Sequence, residues 1–502
     1  MRLASWALAL LTVAAPARAE WLRAESRHFV IYSDTRDAEL RALATRLERF
    51  DGAVRHLYSL SDPDEVAANP LTIYVADDAS DVERLAGRAD VAGFYQPRAT
   101  GSVAFTPRRG RGEGPGALNP QIVLFHEYAH HLLLANNRAA MPAWYSEGAA
   151  ELVATARVEP GHVQFGHAAN HRAQGLFHYS ELPLTTLFAP SRLLAGRELD
   201  QLYGRGWLLT HYVTFNAERG AQMKRYLRAF ATGAPPLDAA RQAFGDLRQL
   251  DRELDKYMRG RLYGFAIPAE KLPDVRADIR PLTAGERALV EMRMVSERGV
   301  NDKTAGPLYA RARKAAVPAD DAAAQGWLAE MAYDAGRDDE AEAAADRALA
   351  ADPRSIQALL YKARVRLRRA ATARTRDPKI WTEARSWIVK ANRVENDHAG
   401  ALALFHQSFE MTGEKPSTGA VTGIHRALEL VPQDPGLRFT VARQDLRDGK
   451  AAEARAVLMP LAYAPHAGPN NPAARLIALL DQGKEGEAAL ATLAAEKPAE
   501  AK

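Results

Sequence analysis

The stretch LFHEYAHHLLL, residues 124–134, constrains the fold more than any other. Asn119-Pro120 opens it as a helix, because Asn accepts hydrogen bonds from free backbone N–H groups and Pro is tolerated at the first helical position. The helix is predicted to run to about Ala135 and to stop near NNR. Ile122, Val123, Leu124, Phe125, Leu132, Leu133 and Leu134 cover most of its circumference. A helix apolar on nearly every side is buried. Polar groups inside it, here His126, Glu127 and His130, must then have partners.

At 502 residues the chain is too long for one hydrophobic core, and two to four domains are expected. Upstream of the buried helix, HFVIYSD (28–34) and LTIYVA (71–76) read as strands, with a helix over 37–60 between them. AGFYQ and GSVAFT, flanking PRAT, read as a hairpin over 92–106. Residues 20–118 are thus expected to form a small sheet module. RRGRGEGPG (108–116) lacks the Lys-Ser/Thr ending of a phosphate-binding loop and reads as flexible. Residues 119–264 form a helical module, and the Pro-rich, aperiodic segment 265–282 reads as a linker.

Beyond the linker, 283–492 is Ala-rich and helical, and 493–502 reads as a disordered tail. Ala341, Ala348 and Pro353 lie seven and then five apart; Ala420, Ala427 and Pro432 repeat that spacing. Ala384 and Ala391 give a weaker copy, and Ala454 follows Ala420 by 34 residues. Small residues at this spacing let paired helices pack closely, and the Pro ends each second helix. The pattern resembles tetratricopeptide repeats, with an insertion near ATARTRDPK. The bland alternative is a generic Ala-rich bundle. The expected fold is α+β: a small sheet plus a helical, zincin-like domain, followed by an all-α solenoid.

The opening residues, MRLASWALALLTVAAPARAEW, combine one basic residue, a short apolar stretch and Ala17-Arg18-Ala19. They read as a secretory signal peptide over 1–19, cleaved after Ala19. No later segment is long and apolar enough to span a membrane. There are no cysteines, hence no disulfides. An exported chain without disulfides is expected in the periplasm, with release to the medium as the alternative. The 66 basic and 62 acidic residues nearly cancel to +4, which makes no case for a nucleic-acid partner or an anionic membrane.

His126 and His130 are four apart, so on a helix they share a face and can present two imidazoles to one ion. Glu127 lies about 100° round the helix from His126 and can reach a water there instead. This is the HExxH division of labour: two ligands and a general base. Catalytic Zn²⁺ takes three protein ligands and leaves one position open. The third candidate is Glu147 in MPAWYSEGAAELVAT, a second helix starting after Pro142 and returning antiparallel to the first. Gly148 is expected to let these two helices approach closely. Glu151, one turn on, could accept a hydrogen bond from a ligand histidine and fix its tautomer. His131 points away from the ligand face. His162, His167, His171 and His178 form a loose cluster with no acidic or thiol partner at useful spacing.

HEYAH followed by WYSEGAAE resembles the gluzincin metallopeptidases, which include thermolysin and the alanyl-type aminopeptidases. The resemblance implies Glu147 as third zinc ligand and Glu151 as the acidic residue behind the ligands. YGRGWLLTHYV resembles an aminopeptidase segment whose tyrosine hydrogen-bonds the oxyanion; that implies Tyr203 in this role, with Arg205 in place of a lysine and His211 ranked second. The aminopeptidase G-A-M-E-N segment is missing, which favours an endopeptidase. Overall the chain looks most like exported bacterial peptidase MA-like domains followed by tetratricopeptide repeats. Its expected function is zinc-dependent peptide hydrolysis, with Glu127 as base and the repeats recruiting a protein partner or substrate. An extended substrate is expected to pair with a free edge at 103–106. The rival is a scaffold protein whose metal domain is structural or degenerate.

Overall fold

A computed structural model describes residues 20–89, 91–110, 119–136, 139–179, 181–465, 467–484 and 486–495. The expected signal peptide, most of the Gly-rich loop, Asn137-Arg138 of the helix stop and the end of the tail lie outside the described residues.

FVIY is a continuous apolar run, and a strand of that kind is buried on both faces. It forms β2 (Phe29–Ser33), buried throughout. It sits inside a six-stranded sheet with β1 (Leu22–Glu25), β3 (Leu71–Asp78), β4 (Phe94–Gln96), β5 (Val103–Arg109) and β9 (Asp278–Pro281), in the order β4-β5-β3-β2-β1-β9. β2, β3 and β5 run parallel, and β4 pairs antiparallel with β5 as the expected hairpin. A smaller sheet joins β6 (Arg157–Glu159), β7 (His162–Phe165) and β8 (Phe265–Pro268). The segment read as a linker therefore contributes an edge strand to each sheet, β8 and β9. Its prolines suit edges, where the missing N–H costs no ladder hydrogen bond.

One face of the large sheet, through Phe29, Ile31, Leu71 and Ile73, packs on α1 (Asp37–Tyr58) and α3 (Pro120–Asn136). The Phe50 and Phe125 rings stack at 3.8 Å between the two helices. Between β3 and β4 lies α2 (Ala79–Ala86), N-capped by Asp78. Asn119 caps α3 as expected, accepting from the backbone N–H of Gln121 at 2.7 Å and Ile122 at 3.1 Å.

A helical module follows: α4 (Ala143–Ala154), α5 (Ala173–His178), α6 (Leu184–Phe188), α7 (Arg197–Phe215), α8 (Ala217–Ala231), α9 (Pro236–Phe244) and α10 (Leu247–Met258). After β9 come α11 (Ala284–Arg298), α12 (Ala305–Ala312), α13 (Ala322–Asp334), α14 (Asp338–Ala351), α15 (Ile356–Thr372), α16 (Pro378–Val394), α17 (Ala399–Thr412), α18 (Thr418–Leu430), α19 (Pro435–Arg447), α20 (Ala451–Ala462), α21 (Pro472–Asp481) and α22 (Gly486–Ala495). Ala341 and Ala348 on α14, Ala384 and Ala391 on α16, Ala420 and Ala427 on α18, and Ala454 on α20 are fully buried. The repeated alanines thus mark the second helix of successive pairs, a helical-repeat array. The extra residues near 373 lengthen α15 and α16 to 17 residues each.

The array is packed on the first half of the chain rather than tethered to it. α11 and α13 cover the second face of the large sheet, burying Tyr32, Tyr74 and Phe105 with Leu289, Val290 and Trp327. At the other end, Phe230 of α8 meets Tyr463, just after α20, with ring centroids 4.6 Å apart. Between these ends, the Asp434 carboxylate accepts from the Ala99 backbone N–H at 2.6 Å in the β4–β5 turn. No helix among the described residues is long and apolar enough to cross a membrane.

Candidate metal centre

α3 carries His126 and His130 on one face, and their Nε2 atoms lie 3.1 Å apart. α4 returns beside α3 and points Glu147 at both: its Oε2 is 3.3 Å from His126 Nε2 and 3.3 Å from His130 Nε2. The three donors form a nearly equilateral triangle. Tetrahedral coordination at about 2.0–2.1 Å separates any two ligand atoms by about 3.3–3.4 Å. The triangle is therefore the right size for one small divalent ion, and these three side chains could hold it. Within the described residues, His28, Glu48 and Asp51 make a second tight group of this kind. There the donors are already engaged, His28 Nδ1 by Glu48 at 2.6 Å and Asp51 by Arg55 and the Tyr128 hydroxyl.

Charge is arranged to suit the three donors. Burial disfavours a charged His126, but Glu147 and Glu151 outweigh it and lift its pKa to about 9. Burial likewise opposes ionisation of Glu147, and the two histidines overcome it, holding the carboxylate well below its ordinary range. Glu127, adjacent on α3, is pushed the other way: burial raises its pKa more than the histidines lower it. The Tyr95 backbone on β4 acts weakly against that rise. A carboxyl group kept easier to protonate than its neighbour is suited to taking up and releasing a proton.

Glu151 is almost fully buried, with Oε1 3.4 Å from His126 Nδ1. Its other contacts were not foreseen. His171 Nε2 lies 2.6 Å from Oε2, and Arg172 donates to Oε1 from Nε at 2.9 Å and Nη2 at 2.5 Å. Burial would raise the Glu151 pKa; His171, His126 and Arg172 bring it down to about 2. The histidine cluster at 162–178 thus has its acidic partner after all, on α4 and 20 residues upstream of His171. Spacing within the cluster could not reveal it. The available signal was Glu151 itself, a carboxylate in a run too apolar to be exposed.

Tyr203 on α7 lies beside the donors, its ring centroid 5.9 Å from that of His126. Burial first, then Glu147, keeps its hydroxyl protonated. His211 is committed elsewhere: Nδ1 is 2.8 Å from the Tyr257 hydroxyl and Nε2 is 3.2 Å from the Gly166 carbonyl. Nε2 donates to the Gly166 carbonyl and the Tyr257 hydroxyl partners Nδ1, so both nitrogens are satisfied. Burial lowers its pKa to about 4. Arg205 is buried against Asp251. His131 is a buried packing residue, with Nδ1 2.9 Å from the Tyr95 hydroxyl.

Two expectations change. Gly148 does not mediate the α3–α4 approach. A Cβ there would lie 2.2 Å from the Gly206 carbonyl oxygen, so Gly148 serves the crossing of α4 with α7. The strand at 103–106 has no free edge either, because β5 is paired on both sides, by β3 and β4. The sheet edge nearest Glu127 is β4.

No family model matches the chain, and no curated protein matches it. One solved structure with local similarity is a thermophilic TPR protein of Thermus thermophilus: 23% identity, TM-score 0.31, covering 36% of this chain and 92% of that one. A TM-score of 0.31 is too low to support a shared fold, so the repeat array rests on its own helices and buried alanines.

Proposed function

We propose that this chain is a zinc-dependent peptidase of gluzincin type, cutting within peptide chains in the periplasm, with the helical repeats recruiting a protein partner or substrate. One observation carries the reading: two imidazole nitrogens and one carboxylate oxygen at mutual distances of 3.1–3.3 Å, with Glu127 next to the first ligand. A purely structural zinc site prefers four protein ligands and has no use for a neighbouring base. Zinc held by His126, His130 and Glu147 would act as a Lewis acid and lower the pKa of water toward neutrality. Glu127 takes the proton from the attacking water and returns it to the leaving amine; its raised pKa suits both steps. The Tyr203 hydroxyl donates to the oxyanion formed from the peptide carbonyl. Glu151 holds His126 by its Nδ1 side, leaving Nε2 for the ion. The β4 edge offers backbone groups to an extended substrate.

A second reading, a repeat scaffold with a metal domain that no longer turns over substrate, is favoured by the helical-repeat array, since such arrays commonly bind proteins. Metal analysis together with casein and peptide-library cleavage separates the two, comparing wild type with Glu127→Ala. The peptidase reading expects one zinc per chain in both proteins and cleavage by wild type alone. Stoichiometric zinc without cleavage in either leaves the scaffold.

A further inference from the structure

The segment after β7 brings His171 and Arg172 against α4 and α7 together. Gly204, next to Tyr203, has no side chain; a Cβ there would lie 3.8 Å from Arg172 Cβ and 3.1 Å from Leu176 Cγ. That gap admits Leu176, and Arg172 Cβ lies in ordinary contact beside it. The Arg172 guanidinium is held on three sides. Nε and Nη2 donate to Glu151 Oε1 at 2.9 and 2.5 Å, Nη1 reaches Asp200 Oδ1 at 3.5 Å, and the guanidinium carbon lies 4.4 Å from the Tyr203 ring centroid. The oxygen that Arg172 grips is the one beside His126 Nδ1.

We infer that Arg172 is a positioning residue that sets two parts of the centre at once, fixing Glu151 behind the ligand His126 and fixing the Tyr203 ring by its face. The inference rests on the peptidase reading and adds to it. A guanidinium suits the task because it is planar and always charged: its edge donates to a carboxylate while its face lies on an aromatic ring. His171 is the built-in comparison, since it donates to Glu151 through the other oxygen, Oε2.

The test is a double-mutant cycle on the full chain, with zinc affinity read by chelator competition and kcat and KM on a fluorogenic peptide chosen from the library screen. Arg172→Met is expected to weaken zinc binding about 10- to 100-fold, the usual effect of losing a group that orients a metal ligand. At saturating zinc it is expected to lower kcat with KM little changed. In a Tyr203→Phe background it should add no further loss of kcat, because the group it positions is already gone. His171→Gln is expected to weaken zinc binding yet leave the full cost of Tyr203→Phe in place. Should Arg172→Met fail to fold, as judged by circular dichroism, Arg172→Lys carries the same expectation, since lysine keeps the charge and loses the planar fork. The inference is overturned if Arg172→Met costs the same factor in kcat with and without Tyr203, or alters zinc affinity alone. Wild type that holds zinc but cleaves no peptide overturns the peptidase reading, and this inference with it; active wild type with additive variants overturns only the inference.

Discussion

Gly148→Ala tests how the third donor is placed. In the α4–α7 crossing, a Cβ at Gly148 would lie 2.2 Å from the Gly206 carbonyl oxygen, 2.4 Å from its carbon and 2.4 Å from Thr210 Oγ1. Ordinary contact begins at 3.4 Å, and two of these atoms are backbone, which cannot rotate aside. The helices must therefore part by about 1 Å, as in other overpacked cores, at a cost of about 1–3 kcal/mol. Glu147 is the preceding residue and moves with the backbone. Metal sites tolerate ligand displacements of only about 0.2 Å, so a shift of that size opens the donor triangle. The expected result is a lower melting temperature for the metal-free protein and weaker zinc binding by chelator competition. Gly206→Ala is expected to do the same, because its added Cβ would lie 2.6 Å from the Trp144 carbonyl oxygen. Wild-type melting and wild-type zinc affinity in Gly148→Ala would refute the argument, since they would mean that α4 and α7 are not in backbone contact there.

Zinc binding at pH 7 is expected to release about one proton, because His126, with a pKa lifted to about 9, starts protonated and must lose its proton to bind; calorimetry in buffers of different ionisation enthalpy measures this. The cluster of His28 with Glu48, Asp51 and Asp62 predicts a pH-dependent stability. Burial opposes protonation of His28, but Glu48, Asp51 and Asp62 outweigh it and raise its pKa above 6.5, so its contribution is full below 6.5 and is lost as pH rises through the folded value. Glu48 and Asp62 are shifted down despite burial, through His28, so their contribution is lost on acidification. The melting-temperature gap between wild type and His28→Gln should therefore be widest in the mildly acid range and close on both sides. Asp434→Ala removes the α19 N-cap and the hydrogen bond to Ala99 together; the cap alone is worth about 1 kcal/mol. Faster hydrogen exchange at the Ala99 amide is the specific sign.

What was legible in the sequence was local. The α3 helix followed from Asn119-Pro120 and an apolar circumference, and the His126/His130 pair followed from helical pitch alone. The buried repeat alanines followed from spacing. What was not legible depends on contacts between distant segments. Gly148 beside Glu147 told of a close approach but was matched to the neighbouring helix α3, whereas the partner is Gly206 on α7, 58 residues on. The prolines of 265–282 suggested a linker because they break periodicity, whereas edge strands tolerate them. The free edge was misassigned because a hairpin reading does not say which strand is outermost. His171 and Arg172 escaped because their purpose is to neutralise Glu151, and a buried charge advertises its need but not its partner.

The continuous run in β2 carried a further consequence. A strand buried on both faces requires two covering layers, and α1 with α3 supply one. The second comes from α11 and α13, so the repeats begin as part of the sheet module's core. Cutting the chain at 264 would strip β8 and β9 from both sheets and expose Tyr32, Tyr74 and Phe105. Those side chains would leave an apolar face larger than soluble monomers commonly show. The same sheet bears β5 and its partner β4, which packs against α3, the helix that carries Glu127. The proposed chemistry and the proposed recruitment fall in different halves of this chain, but folding does not divide there. A fragment of 20–264 is expected to aggregate or to expose the dye-binding surface of a partly folded state, while 20–495 does not. A soluble, cooperatively melting 20–264 fragment would show that the sheet does not need the repeats.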